Sequence, residues 1–372
     1  MKRRLVVLAA ALALATPALA AVPHVRARAY TVEDGETGQV LAEYRERARV
    51  PIASLTKLMT VLLTVERAKP GDVVTVAPGA AAVGESSIGL RAGDRLTVRE
   101  LLDGALIQSA NDAADALAYY VGKGNEARFV ALMNTRARQL GLSDTHYARP
   151  DGLDAPGHVS SARDVTKLAR LLMRRPIVRS IVRKQSATIA GGRVLHTWND
   201  LLATFPGVFG VKTGHTSAAG WNEVASVDRG GAVVYGTILG SPDRATRNAD
   251  LSALLRWGLS RYRRIPVLTP GRVYAKVKVG YGRSPVGLVP AKGLVRPVRI
   301  DQPFVLRVVA EAVATLPVIR GERLGEIRVY QGSRLLVRRA LVAGRTVKRP
   351  GALGRASFYA GRTVHHMWGW VS

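Results

Sequence analysis

The stretch Pro51-Ile52-Ala53-Ser54-Leu55-Thr56-Lys57-Leu58-Met59-Thr60 decides how this chain is read. Leu55, Leu58, Met59, Leu62 and Leu63 recur at helical spacing, so residues 54–67 are expected to form an amphipathic helix. Ser54 stands at its start, and Lys57, three residues on, lies on the same face one turn later. Serine is a poor nucleophile until a base removes its proton. A lysine can act as that base only when neutral, and burial or a neighbouring cation lowers its pKa in that direction. On its own, the string also reads as a helix-capping serine followed by a surface lysine.

Two further strings stand downstream in fixed order. Ser109-Ala110-Asn111 falls in the loop between helical patterns at 98–107 and 112–121. There the Ser109 hydroxyl can relay a proton to a leaving amine, and the Asn111 amide can hold Lys57 and a substrate carbonyl. Alone, it equally reads as a loop that caps the next helix. Lys212-Thr213-Gly214 lies on a strand pattern bordered by Gly210 and Gly214, which lets a substrate backbone come close. Its ammonium and hydroxyl suit a terminal carboxylate, and Lys212 is a candidate for the cation that lowers the pKa of Lys57. Alone, it reads as an edge strand closed by a turn. Together, in this order and with these gaps, the three strings describe an acyl-transfer site for a carboxylate-ended substrate.

Residues 1–20 read as an export leader: Lys2, Arg3 and Arg4, an apolar run to Ala15, and Ala18-Leu19-Ala20 as a small-residue cleavage site. The run is too short for a membrane span and Pro17 interrupts its end. The protein is therefore expected to be exported and to fold outside the cytoplasm. It has no cysteine, which excludes disulfides, thiolate metal sites and a cysteine nucleophile, and its seven histidines show no zinc-like spacing. Neither a metal nor another cofactor is expected.

The chain carries a net charge of +28, and loss of Lys2, Arg3 and Arg4 with the leader leaves +25. From Arg261 onward, 22 Lys and Arg face only Asp301, Glu311, Glu322 and Glu326, so most of the excess sits in the last third. Such a field favours an anionic partner, a phosphate-bearing polymer or acidic lipid, or serves solubility alone. Export argues against nucleic acid.

Two strands around the turn Asp34-Gly35-Glu36-Thr37-Gly38 open the mature chain. Helical patterns follow at 127–140 and 162–174, then adjacent antiparallel strands at 208–213, 222–227 and 232–239, then a helix at 247–261. A boundary is expected near Ile265-Pro266. Beyond it, short strand-like runs at 272–279, 295–300, 304–309, 327–330 and 335–341 suggest a small all-β domain. In the tail, Leu353, Ala356, Ala360, Val364, Met367, Trp368 and Val371 recur at three- and four-residue steps opposite Arg355, Arg362 and His366. That is an amphipathic helix with an aromatic end, a candidate anchor in a lipid interface, although Gly354, Gly361 and Gly369 weaken it.

The chain resembles the serine-type D-alanyl-D-alanine carboxypeptidases, the low-molecular-mass penicillin-binding proteins. The likeness rests on the three strings with their flanks, on Gly152-Leu153-Asp154, Ser161-Ala162-Arg163-Asp164, His215-Thr216 and Ala219-Gly220, and on 321–330 in the β-domain. It implies an α/β (α+β) penicillin-binding, β-lactamase-like transpeptidase fold with an inserted helical lobe. The expected division is a leader at 1–20, a catalytic domain at 21–264, a β-sandwich-like domain at 265–350 and an anchor helix at 351–372. It implies that Ser54 is the nucleophile, Lys57 the general base and Ser109 the proton relay, with Asn111 beside them. Lys212, Thr213, Gly214, His215 and Arg247 would bind substrate, and the backbone N–H groups of Ser54 and His215 would form the oxyanion hole. The expected ligands are peptidoglycan stem peptides and β-lactams, with peripheral membrane contact. Phe209, where many relatives carry an acid, and Thr197-Trp198-Asn199 depart from the pattern. A DD-endopeptidase, a β-lactamase and a non-catalytic wall-binding protein are the competing readings; intact strings oppose the last, and the appended β-domain opposes the second.

Overall fold

The computed structural model describes residues 5–12 and 20–368 of the chain. Two units emerge, Ala20–Ser260 and one built on Arg261–Ser372. The division falls at residue 260 and not at Ile265-Pro266, because the strand Tyr262–Leu268 spans that dipeptide. It pairs with Leu294–Arg299, which puts Ile265 opposite Arg296 and Pro266 opposite Val295. A proline is tolerated in such a two-stranded ribbon, where no central ladder needs its missing N–H.

The first unit is organised on a five-stranded antiparallel sheet. Its strands are β1 (Ala29–Asp34), β2 (Val40–Tyr44), β3 (Val208–Thr216), β4 (Gly220–Arg229) and β5 (Ala232–Ser241), in the order β2-β1-β5-β4-β3. β3, the strand that carries Lys212-Thr213-Gly214, is therefore an edge. Between β2 and β3 the chain builds the helical lobe: α1 (Lys57–Arg67), α2 (Val98–Asp103), α3 (Asn111–Val121), α4 (Glu126–Gln139) and α5 (Ala162–Leu172). A last helix, α6 (Arg244–Ser260), packs back on the sheet. The fold class is the one expected from the sequence, α/β with an inserted helical lobe.

α1 differs from the expected helix in two ways that matter for the site. It begins at Lys57; Ala53–Thr56 forms a separate 3-10 turn, with Ala53 at φ 49°. And it is no surface helix with one apolar face, since every residue from Lys57 to Thr64 is buried. A helix buried all round lies in the interior. That is why Lys57 has no exposure at all. The 98–107 pattern also divides. α2, entered through a Thr97–Glu100 capping box, gives way to a π-helical turn at Gly104–Gln108 that ends at Ser109 with φ 65°. π-turns and left-handed non-glycine residues recur at functional sites because a tight local geometry is enforced there by the surroundings.

α6 begins one turn earlier than the 247–261 pattern suggests. Asp243 accepts hydrogen bonds from the Thr246 N–H and Oγ1 at 2.7 Å each, capping the first turn. Arg247 therefore lies in the first turn of the helix and not at its first residue.

In the second unit, seven strands form one sheet, with Phe304–Glu311, Arg323–Gln331, Arg334–Ala343 and Val286–Pro290 as consecutive neighbours. Leu5–Leu12, within the expected leader, pairs with Phe304–Glu311; the leader's Lys2, Arg3, Arg4, Ala18 and Leu19 lie outside the described residues. Alternation supplies the core, as in Ala275, Val277 and Val279 on one face and Lys276 and Lys278 on the other. The tail is helical over Ala352–Trp368, with Leu353 90% and Tyr359 56% exposed, while Phe358 meets the Tyr281 ring at 5.7 Å. Val371 of the expected apolar stripe lies outside the described residues. Among the described residues no helix is long and apolar enough to cross a membrane.

Gly152 has φ 89°, and a Cβ there would stand 2.2 Å from the Ala53 carbonyl oxygen and 2.9 Å from Thr56 Cβ. Gly152→Ala should therefore cost more than the ~1–2 kcal/mol of a left-handed backbone alone, because it also pushes the 3-10 turn away. Thermal unfolding of the variant checks this; an unchanged midpoint would contradict the packing described.

Candidate active site

Three elements converge on Ser54: the 3-10 turn that holds it, the loop between the π-turn and α3, and the edge strand β3. The approach of β3 depends on Gly214, where a Cβ would lie 2.9 Å from the Ser54 nitrogen and 3.1 Å from the Ile52 oxygen. Only a residue without a side chain lets the strand run this close.

Lys57 Nζ donates to Ser54 Oγ at 2.8 Å, Asn111 Oδ1 at 2.6 Å and the Asp151 carbonyl oxygen at 2.6 Å. Asn111 is itself oriented by its Nδ2, which donates to the Gly84 carbonyl at 2.9 Å, so its oxygen must face the lysine. This arrangement has a chemical consequence. A neutral amine has two N–H bonds and one lone pair. The Asn111 and Asp151 oxygens can only accept, so they take the two N–H bonds. The lone pair is left for the one neighbour with a proton to give, Ser54. Burial lowers the Lys57 pKa to about 8, against the opposing pull of the Asp151 and Asp115 carboxylates.

Lys212, 2% exposed, donates to Ser109 Oγ at 2.7 Å and to the Thr213 carbonyl at 2.7 Å. Burial first, and then the charge of Lys57, hold its pKa well below the usual lysine range. One lysine thus meets each serine, Lys57 at Ser54 and Lys212 at Ser109, and the charge of Lys57 opposes protonation of Lys212.

The cleft above them, about 240 Å³, is lined by Ser54, Ser109, Asn111, Thr213, Gly214, His215 and Arg247. Seven of the nine residues singled out from sequence therefore face one cavity, and Lys57 and Lys212 lie behind its wall. Lys212 does not line the cleft directly. Two of its three N–H donors go to Ser109 and to its own strand. Arg247 lines the cleft but is only 1% exposed; it pairs with Glu223 at 3.0 Å and lies beside Asp200 at 3.5 Å. His215 stacks on Trp221 with ring centroids 4.1 Å apart.

Several site residues had no signal in the three strings. Asp151 supplies its carbonyl to Lys57, while its buried carboxylate is clamped by Arg149 at 3.0 and 2.8 Å. His158 is held neutral, its pKa pushed down to about 4 by burial. Its Nδ1 accepts from the Ala148 N–H at 3.0 Å, so its Nε2 bears the proton and donates to Thr56 Oγ1 at 2.6 Å, bracing the Ser54 turn. Trp198, 47% exposed at the cleft edge, is tied by its Nε1 to the Gln108 carbonyl at 3.0 Å. Glu223 was detectable in principle as the single charged residue in the run Thr216–Val227. Among the described residues no group of three His, Cys, Asp or Glu side chains is arranged to hold a metal.

With the geometry in place, comparison with known proteins decides the family. The model of the peptidase S11 family, described as D-alanyl-D-alanine carboxypeptidase, matches residues 16–243. The chain belongs to this family. D-alanyl-D-alanine carboxypeptidase DacD of Salmonella typhimurium is 33% identical, over 96% of this chain and 98% of that protein. Penicillin-binding protein 5 from Haemophilus influenzae has a similar structure, with a TM-score of 0.63 and 27% identity over 89% of this chain and 100% of that one. The Streptomyces K15 DD-transpeptidase superposes with a TM-score of 0.62 and 30% identity, over 65% of this chain and 100% of its own.

Because the base form of Lys57 must be neutral, acylation should rise with pH toward a plateau with a midpoint near 8. Well below that midpoint it should fall about tenfold per pH unit. Rapid-mixing measurement of fluorescent penicillin incorporation between pH 6 and 9.5 checks this. A flat profile, or wild-type acylation in Lys57→Ala, would show that the proton of Ser54 goes elsewhere than to Lys57.

Proposed function

We propose that the protein is a serine D-alanyl-D-alanine carboxypeptidase that removes the terminal D-alanine of peptidoglycan stem peptides and is acylated by β-lactams at Ser54. The observation that carries this reading is the forced direction of the Lys57 lone pair toward Ser54 Oγ. Lys57 takes the Ser54 proton as Oγ attacks the carbonyl carbon of the last peptide bond. The oxyanion that forms is met by the backbone N–H groups of Ser54 and His215, fixed donors of the kind that stabilise such charge. Ser109 relays to the departing amine the proton that Lys57 took from Ser54, which leaves Lys57 neutral again, and Lys212 behind it keeps that hydroxyl oriented. D-Alanine leaves, and water, deprotonated by the same lysine, hydrolyses the ester and returns Ser54. Thr213 and Arg247 receive the substrate's terminal carboxylate.

Mass spectrometry after penicillin treatment should find the adduct on the peptide that contains Ser54, and Ser54→Ala should carry none. The same protein should release D-alanine from a pentapeptide with a free terminal carboxylate and act poorly on its amide. An adduct on another serine sinks the mechanism; equal turnover of acid and amide favours the endopeptidase reading.

The leader at 1–20 and the basic C-terminal unit support a place outside the cytoplasm, at the outer face of its membrane. The exposed Leu353 and Tyr359 on the tail helix, beside Arg345, Lys348 and Arg349, fit a lipid interface with acidic head groups. Truncation after Pro350 should release the protein from anionic vesicles and leave D-alanine release from soluble peptide intact. Equal vesicle binding by both forms would assign the attraction to the β-domain's arginines.

A further inference from the structure

Glu223 is a carboxylate in an unusual place. It lies on β4 with Thr213 of β3 as its register partner on one side and Ile238 of β5 on the other. Its side chain is wholly buried, and neither of its oxygens has a hydrogen-bond partner. What it has is charge: Oε2 lies 3.0 Å from Arg247 Nε. Arg247 spends its hydrogen bonds elsewhere, donating from Nε and Nη2 to Asn248 Oδ1 at 3.1 and 2.7 Å. The charged groups that act on Glu223 are Arg247 and Arg244 from α6, Asp200 from the turn before residues 201–204, and Lys212 from β3. The guanidinium that faces the cleft is thus already balanced by Glu223 and Asp200 before any ligand arrives.

A peptide's terminal carboxylate that approaches Arg247 must therefore enter a field which two internal carboxylates have neutralised. Either the ligand binds weakly, or one internal negative charge is discharged. Glu223 is the group built for the second course. It is wholly buried and lacks the protein hydrogen bonds that would stabilise its anion, and burial raises its pKa to about 7 even against the pull of Arg247. A third carboxylate nearby raises it further.

We propose that Glu223 is the internal counterion of Arg247 and takes up a proton from solvent when a carboxylate-ended ligand binds, so that capture of the ligand tightens as pH falls. This rests on the reading of the cleft as the site of a D-alanyl-D-alanine peptide. Glu223 is a positioning and specificity residue here; it touches Arg247 and not the reacting atoms. The pH response of binding then runs opposite to that of chemistry. Discharge of Glu223 lowers KM on the acid side of neutrality, whereas protonation of Lys57 lowers kcat on the same side. The charges that act most on Lys57 are Asp151, Asp115, Asp112 and Glu85, so the two responses are read apart, one in KM and one in kcat.

The test is the pH dependence of kcat and KM from pH 6 to 9 for an N-acylated tripeptide ending in D-Ala-D-Ala, with Glu223→Gln as the variant. In the unmodified protein KM should rise several-fold from pH 6 to pH 8.5. In Glu223→Gln it should stay near its low-pH value throughout, with the kcat profile unmoved. Identical KM profiles in the two proteins overturn the inference. Calorimetric titration of Ser54→Ala with the same peptide, at pH 7.5 in buffers of different ionisation enthalpy, reads the proton directly. Uptake of a substantial fraction of one proton supports the inference, also where Glu223→Gln fails to fold; zero uptake or no binding overturns it. Should the unmodified protein release no D-alanine at all, the functional reading falls and the titration still decides the role of Glu223.

Discussion

The site depends on the burial of one amine. Lys57 sits on a helix enclosed on every side, and it has three hydrogen-bond partners of which only one can give back a proton. Burial removes the solvation that keeps an ordinary lysine charged, and the two fixed oxygen acceptors decide where the lone pair points. Base strength and aim are thus produced by the same packing. Asn111 and the Asp151 carbonyl do not react, yet without them a neutral Lys57 has no preferred direction.

The rest of the first unit can be understood as bracing for that geometry. The 3-10 turn tips Ser54 toward the cleft and leaves Lys57 to begin the helix proper. His158 holds that turn through Thr56, and Gly152 and Gly214 let two backbone segments press on it. The π-turn before Ser109 swings the loop so that one hydroxyl meets Lys212 while Asn111, two residues on, meets Lys57. Three residues outside glycine, Ala53, Ser109 and Glu85 at the cleft wall, adopt left-handed backbone conformations here, a cost of order 1–3 kcal/mol each that only a well-packed surround can sustain.

Charge in the cleft is handled by compensation. Lys57, Lys212, Arg244 and Arg247 lie near Asp151, Asp200 and Glu223, and burial strengthens the Arg247–Glu223 pairing above all. Burial makes Lys57 the weaker-held cation it needs to be, and the charge of Lys57 in turn depresses Lys212. Arg247, pinned between Glu223 and Asp200, is kept rigid at the edge of the cleft and not free to swing. A rigid, part-neutralised guanidinium selects for position as well as charge.

Much of this was legible in sequence. Ser54, Lys57, Ser109, Asn111, Lys212 and Thr213 announce themselves because acyl transfer needs those groups at short, rigid spacings, and short spacings survive in one dimension. Strand and helix identities follow from periodicity, as in the alternation of 275–279. Element edges did not follow, because a cap such as Asp243 or a left-handed Ala53 is a local event that periodicity ignores. Nor did Lys212's retreat behind the cleft wall, the neutral His158, or the pairing of Glu223 with Arg247, which stand 24 residues apart in the chain. Sequence alone determined which chemistry is possible, since residue types set the available nucleophile, base and cations. Only the tertiary structure decided which amine loses its proton, where its lone pair points and which charges oppose each other. Those are matters of burial and distance, and both arise when segments far apart in sequence are brought together.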